Sequence, residues 1–160
     1  MIMIYNFIIF FAVLLVQFFF PSIDLYSFKI VPDFLLILLT LYSFQNDRLY
    51  CVIIGFLMGL FQDLVSQMDL IGVLALSKSV SGFLLGTLRN YLSFFTKKIV
   101  YLNIIFIYAM HSSIYSFFRY NDIIIDIFLI FKIVIINSLI SFLIYILIDN
   151  ILNNKKSMLR

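Results

Sequence analysis

The sequence predicts an all-α integral membrane protein, a single domain built as a six-helix transmembrane bundle. The 160 residues are 64% hydrophobic and only 12% charged, and the mean hydropathy is +1.15. A soluble domain carries about 25% charged residues, because charged side chains lie almost entirely on its solvent-facing surface. Six apolar runs are separated by polar turns, and all except the short second run approach the roughly 20 residues that a membrane-spanning helix needs. This composition excludes a soluble globule and a disordered chain.

The six predicted spans cover residues 2–20, 32–44, 49–65, 70–88, 99–118 and 127–148. No basic residue precedes the first run and no small-residue cleavage site follows it, which favours a retained span over a signal peptide. Residues 21–31 are expected to form a loop. The second span begins at Pro32 and Asp33, since proline suits the first helical turn and a carboxylate favours the positive end of the helix dipole.

Basic residues are distributed unequally between the two faces of the predicted bundle. With the N-terminus inside, the cytoplasmic segments hold Arg48, Arg89, Lys97, Lys98, Lys155, Lys156 and Arg160. The opposite face holds Lys29, Arg119 and Lys132. This bias follows the positive-inside rule and predicts that both termini are cytoplasmic. The net charge of +3 forms no basic patch, so no nucleic-acid partner is expected.

The third and fourth spans each contain two glycines four residues apart. These are Gly55 and Gly59 in the third span, and Gly82 and Gly86 in the fourth. Glycines at this spacing share one helix face and let a neighbouring backbone approach closely. The pattern predicts either packing inside the bundle or a docking face for the helix of a partner.

Asp63 and Gly72 frame the turn between these two spans. Asp63 follows Gly59 by four residues, so the carboxylate shares the glycine face and should contact protein, not lipid. Gly72 is expected to give the returning chain backbone freedom or close packing. For Asp63, a structural capping role and a functional interface both remain open.

Lys78 lies near the middle of the fourth span, on the same face as the small residues. An intramembrane ammonium is expensive without a partner, so we expect an ion pair inside the bundle with Asp63, Asp69 or His111. Binding of an anionic ligand is one alternative. Snorkelling of the long side chain towards the interface is the other.

Polar side chains recur along one face of each of the last two spans. The fifth span carries Tyr108, His111 and Tyr115, and the sixth carries Asn137 and Ser141. Such stripes are typical of hydrogen bonding between membrane helices. His111 is expected to be a buried histidine with its hydrogen bonds satisfied, and a proton-relay role is the alternative.

The sequence contains no catalytic constellation. A phosphate-binding loop, a nucleophile elbow and a zinc-protease motif are all absent. The single cysteine, Cys51, and the single histidine exclude a Cys- or His-rich metal site. We therefore expect no enzyme activity, no cofactor and no metal.

The middle of the chain resembles a known family. The run that starts at Pro32 and Asp33, the stretch from Gly55 to Asp63, and the turn that ends in Gly72 together resemble MreD, the rod shape-determining membrane protein of bacteria. The later pair, Gly82 and Gly86, continues the pattern. The resemblance covers about residues 32–90; outside it, only the length, the span count and the basic tail agree.

The resemblance implies a non-catalytic scaffold subunit of the cell-elongation machinery, in the bacterial cytoplasmic (inner) membrane. Its partners would be the bitopic protein MreC, the MreB filament indirectly, and the peptidoglycan synthases RodA and penicillin-binding protein 2, in contact with membrane lipid. The implied fold is similar to the substrate-binding subunits of energy-coupling-factor transporters. Two other classes stay open: a small-molecule-binding membrane subunit of a transporter, and an ion carrier that uses Asp63, Lys78 and His111.

Overall fold

The computed structural model describes residues 2–21, 23–25, 28–66, 71–119 and 127–158, with side chains within 8–21, 31–66, 71–119 and 127–152. Six helices form the fold of these described residues, which confirms the predicted helical class. They are α1 (Ile2–Phe19), α2 (Phe34–Ser43), α3 (Arg48–Ser66), α4 (Val73–Asn90), α5 (Lys97–Arg119) and α6 (Ile127–Met158). Helix α6 continues ten residues past the predicted end of the sixth span.

A short antiparallel hairpin lies where a plain loop was expected between α1 and α2. Strands β1 (Ile23–Leu25) and β2 (Phe28–Ile30) pair with Asp24 opposite Lys29. This segment is therefore a pair of short strands and not the expected plain loop, whereas the other regular elements of the described chain are helices. Both tripeptides alternate apolar and charged residues, which is the period of a strand and not of a helix.

Three helices among the described residues are long and apolar enough to cross a membrane. They are α3, α5 and the Ile127–Leu152 part of α6. The described part of α1, Ile8–Phe19, and the whole of α2 are shorter apolar helices. The prediction of membrane-spanning helices therefore holds for these three. Two other predicted spans, α2 and α4, are not among the helices long and apolar enough to cross a membrane.

Helix α2 is too short to cross a bilayer alone. Its 10 residues give a length of about 15 Å, roughly half of the hydrocarbon thickness. Residues on every side of the helix are buried, namely Leu35, Leu36, Ile37, Leu38, Leu39, Thr40 and Ser43. Composition did not distinguish a lipid-facing helix from a core helix here, because both are uniformly apolar.

Helix α4 occupies the centre of the bundle. It packs against α2, α3 and α5, and nine of its residues are buried. The polar members of this set, Ser77, Lys78 and Ser81, contact protein and not lipid. A helix enclosed by its neighbours does not need a lipid-compatible surface, which explains why α4 is more polar than α3, α5 and α6.

Candidate functional site

The N-terminus of α2 is the point where four other helices converge. Asp33 is the N-cap of α2, and its Oδ1 accepts a hydrogen bond of 2.9 Å from the backbone N–H of Leu36. This capping arrangement satisfies one of the free amides of the first helical turn. The predicted role of Pro32 and Asp33 at the start of the span therefore matches the position of the cap, although the helix itself begins at Phe34.

The second carboxylate oxygen of Asp33 binds the ammonium of Lys78. Lys78 Nζ donates to Asp33 Oδ2, and the lysine side chain is fully buried. The prediction of an ion pair inside the bundle is confirmed, but the partner is Asp33 and not the predicted Asp63 or His111. Asp63 is engaged elsewhere, Asp69 lies outside the described residues, and His111 Nε2 lies 3.6 Å from the same Asp33 oxygen.

Two further side chains hold the start of α2 in place. Gln17 of α1 donates from Nε2 to the carbonyl oxygen of Pro32 at 3.0 Å and accepts from the N–H of Phe34 at 2.6 Å. The hydroxyl of Ser141 in α6 accepts from the N–H of Asp33 at 3.4 Å. Gln17 is not among the predicted site residues, although a glutamine inside an apolar run is a signal of an interhelical hydrogen bond.

Asp63 caps α4 from the end of α3. Its carboxylate accepts from three backbone N–H groups: Gly72 at 3.0 Å, Leu74 at 3.3 Å and Ala75 at 3.1 Å. The side chain is completely buried, and a carboxylate is favoured at the positive end of the helix dipole. Of the two interpretations left open for Asp63, this geometry favours the structural cap.

We expect Asp63→Ala to lower the free energy of unfolding by about 2–3 kcal/mol, because three N–H groups lose a charged acceptor. Asp63→Asn keeps one acceptor oxygen and should lose about half as much. SDS titration of the detergent-solubilised protein measures both. As a control, Asp47→Ala removes a carboxylate whose side chain is 93% exposed and should cost less than about 1 kcal/mol. Equal losses for Asp63→Ala and Asp47→Ala would contradict the capping role.

The four helical glycines lie between α3 and α4. A Cβ placed on Gly55 would lie 2.5 Å from the carbonyl oxygen of Lys78, and one on Gly59 would fall within 3.0 Å of the Ala75 backbone. Gly82 faces the Cys51 carbonyl in the same way, and a Cβ on Gly86 would lie 2.7 Å from Arg48 Cα. Positions later in α3 face positions earlier in α4. The two helices are therefore antiparallel, with their backbones in direct contact.

This contact uses the glycine faces inside the chain. The internal-packing interpretation therefore accounts for Gly55, Gly59, Gly82 and Gly86, and no part of these faces is left for the helix of a partner. Gly72 has a different role. Its φ of 105° lies in the left-handed region, where side chains with a Cβ are strained, so glycine allows the turn that places its N–H on Asp63.

A cavity of about 360 Å³ lies beside the Asp33 cap. Its walls come from the C-terminal ends of α1, α3 and α5, the N-terminal ends of α2 and α4, and the first half of α6. In this antiparallel bundle these segments share one end, the end opposite to Arg48. The apolar part of the wall includes Leu14, Phe18 and Ile133, and the polar part includes Gln62, His111 and Asn137.

Three buried polar atoms in the described part of the chain have no hydrogen-bond partner, and all three belong to residues that line this cavity. They are Gln62 Oε1, His111 Nε2 and Asn137 Oδ1. Most buried polar groups in proteins are paired. His111 is buried, as expected, but its Nε2 lacks the expected hydrogen bond, because the Asp33 oxygen at 3.6 Å lies beyond hydrogen-bonding distance.

The remaining predicted polar residues lie around the same region. Tyr108 is fully buried and shares a hydrogen bond of 2.9 Å with Thr40 of α2. This pair is an example of the predicted interhelical bonding. Tyr115 lines the cavity, and its hydroxyl contacts Arg119 one turn later. Tyr108, His111, Tyr115, Asn137 and Ser141 therefore all line one cavity.

The arrangement of these residues supports the binding of a ligand better than it supports an ion relay. Asp63 is bound to the α4 backbone, whereas Lys78 and His111 lie at Asp33, so these three predicted relay groups do not form one chain of contacts. Within the described residues, no cluster of His, Cys, Asp or Glu has the arrangement of a metal site. The site offers amide, imidazole and hydroxyl groups facing an apolar wall.

Comparisons of the chain with protein-family models, with curated proteins and with solved structures find no match.

Proposed function

We propose that this protein is a non-catalytic membrane scaffold subunit of the bacterial cell-elongation machinery, of the MreD kind. The observation that carries the proposal is the arrangement of the residues in which the resemblance to MreD resides. Asp33, Gly55, Asp63, Gly72 and Gly82 all make contacts that join α2, α3 and α4. These residues therefore act together as one structural unit, as expected if a family pattern maintains a particular bundle.

The proposed partners are an MreC homologue in direct contact, and the MreB filament, RodA and penicillin-binding protein 2 in the wider assembly. Because the glycine faces are used between α3 and α4, an MreC homologue would contact another surface of the bundle. Scaffold function then depends on the shape that the internal contacts maintain. It does not require a reactive group.

The proposed location is the bacterial cytoplasmic membrane, with a multi-pass topology and both termini in the cytoplasm. The distribution of cations supports this orientation. Arg48 lies against Gly86 and Arg89 binds Asp47, which places these arginines at one end of the bundle. Arg119 ends α5 at the other end. The positive-inside rule assigns the richer end to the cytoplasm, and the cavity then lies at the outer end.

Depletion of the protein in the bacterium that encodes it tests the scaffold role. Cells should lose rod shape and become round, and a tagged copy solubilised in mild detergent should retain the MreC homologue. Gly59→Leu serves as the matched variant, since it forces α3 and α4 apart; it should restore neither rods nor co-purification while the protein still reaches the membrane. Depleted cells that stay rod-shaped would refute the proposal.

The cavity favours a second candidate, a small-molecule-binding membrane subunit of a transporter. The three unpaired polar atoms in one cavity are the specific observation behind it. The two candidates differ in the phenotype of depletion. Loss of uptake of a nutrient with normal rod shape would support the transporter subunit, and rounding with normal uptake would support the scaffold.

A further inference from the structure

We propose that the cavity at the Asp33 end of the bundle binds a neutral, hydroxyl-rich head group, such as a sugar or another polyol, with an adjoining apolar portion. This inference goes beyond the scaffold role and does not depend on it.

The unpaired atoms define what a ligand must supply. Gln62 Oε1 and Asn137 Oδ1 are buried acceptors without donors, and His111 Nε2 is a third buried polar atom without a partner. Leaving such atoms unpaired is costly. Amide and imidazole groups can each donate and accept hydrogen bonds. A ligand with several hydroxyls matches this set, because each hydroxyl also both donates and accepts.

The charge of the site favours a neutral ligand. Of the described residues that line the cavity, Asp33 and Arg119 carry a formal charge at neutral pH. Asp33 is already neutralised by Lys78, so a cationic ligand would gain no free carboxylate. Arg119 is exposed at the end of α5, where its guanidinium lies over the Tyr115 ring at 5.5 Å. An anion placed deep in the cavity would face the amide oxygens instead.

The apolar part of the wall accommodates a non-polar portion of the same ligand. Leu14, Phe18, Leu35 and Ile133 contribute to this wall, and Phe18 is 56% exposed. A volume of about 360 Å³ is at the lower end of the range for small-molecule sites. One hexose with the first part of an alkyl chain fits this combination. A free sugar and a lipid-linked sugar share this chemistry, and the experiment separates them.

The chain contains no tryptophan, so a single introduced tryptophan reports from a chosen position. Phe18→Trp places the reporter in the cavity wall, and Val65→Trp is a second position in the same wall. Phe94→Trp is the matched control, because Phe94 is 80% exposed in the segment between α4 and α5, at the other end of the bundle. It records the effects of amphiphile partitioning into the bilayer.

The protein in phosphatidylcholine nanodiscs is titrated with octyl β-glucoside, with glucose, and with two charged amphiphiles of equal chain length, octyltrimethylammonium and octyl sulfate. We expect a saturable fluorescence change with octyl β-glucoside in Phe18→Trp that exceeds the change in Phe94→Trp. Saturation with glucose as well would identify the sugar alone as sufficient. Saturation only with the glucoside would identify a lipid-linked source.

The unpaired atoms are tested by removing them in the Phe18→Trp background. Asn137→Leu or Gln62→Leu should weaken glucoside binding about tenfold, the loss expected for one hydrogen bond to a buried group. Asn103→Leu makes the same substitution at a residue of α5 outside the cavity and should change binding less than about twofold. The proposal is overturned if the fluorescence change with octyl β-glucoside in both Phe18→Trp and Val65→Trp is no larger than in Phe94→Trp. That result would mean that the cavity holds only water. Tighter binding of either charged amphiphile, or unchanged binding in both leucine variants, would also overturn it.

Discussion

Lys78→Met is expected to destabilise the protein by about 3–5 kcal/mol, because it leaves the Asp33 carboxylate buried without its cation. Lys78→Met combined with Asp33→Asn should recover most of this loss. Replacing both partners of a buried ion pair is often nearly neutral, and asparagine still caps a helix. The measurement is the free energy of unfolding in SDS titration, for each single variant and for the double variant.

An exposed ion pair provides the control for this cycle. Arg89 and Asp47 are joined at 2.7 Å, with side chains 31% and 93% exposed. The same substitutions there, Arg89→Met and Asp47→Asn, should each cost less than about 1 kcal/mol and show little coupling. A double variant at Asp33 and Lys78 that is no more stable than Lys78→Met alone would show that these two residues are not energetic partners.

Gly59→Ala and Gly82→Ala should each destabilise the isolated chain by about 3 kcal/mol, near the upper end of the usual cost of overpacking. The added methyl group would meet the backbone of the facing helix, at Ala75 or at Cys51. Backbone inside a helix cannot move aside as the end of a side chain can. Thermal unfolding in mild detergent, without any partner protein, measures the loss.

Gly86→Ala supplies the comparison within the same interface. The methyl would meet Arg48, the first residue of α3, where the end of the helix can shift more readily. We expect this variant to lose less than half as much stability as Gly59→Ala. If Gly59→Ala instead leaves the isolated chain stable and only prevents co-purification of a partner, its glycine face serves docking and not internal packing.

The helix positions were largely predictable because apolar runs and polar turns alternate along the chain. The depth of each helix in the bundle was not. Helix α2 and helix α6 are both strongly apolar, yet α2 is enclosed by protein and α6 exposes large side chains such as Phe128 and Phe131. Apolar composition reports only that a helix avoids water, and core residues and lipid-facing residues satisfy that condition equally.

The individual groups of the site were easier to predict than their pairing. Lys78, Asp63 and His111 are conspicuous because ionisable residues are rare in apolar helices. Which groups pair depends on which helices lie side by side in the folded bundle. Asp33 is 45 positions away from Lys78 in the chain. Asp63 accepts hydrogen bonds from backbone N–H groups, which almost every residue has and which therefore leave no signal in the sequence. The cavity depends on residues from all six helices, so no local pattern could reveal it.

The enclosed position of α4 has a consequence for biosynthesis. A lysine inside a membrane helix opposes insertion into the bilayer, and α4 is not among the described helices that are long and apolar enough to cross a membrane. Helix α3 is among them, and its Asp63 carboxylate is already bonded to the amides that open α4. We therefore expect α3 and α4 to enter the bilayer together, as a pair of packed helices. In this region the unit of membrane integration would be the pair, with the Lys78 charge carried on the surface of the preceding helix.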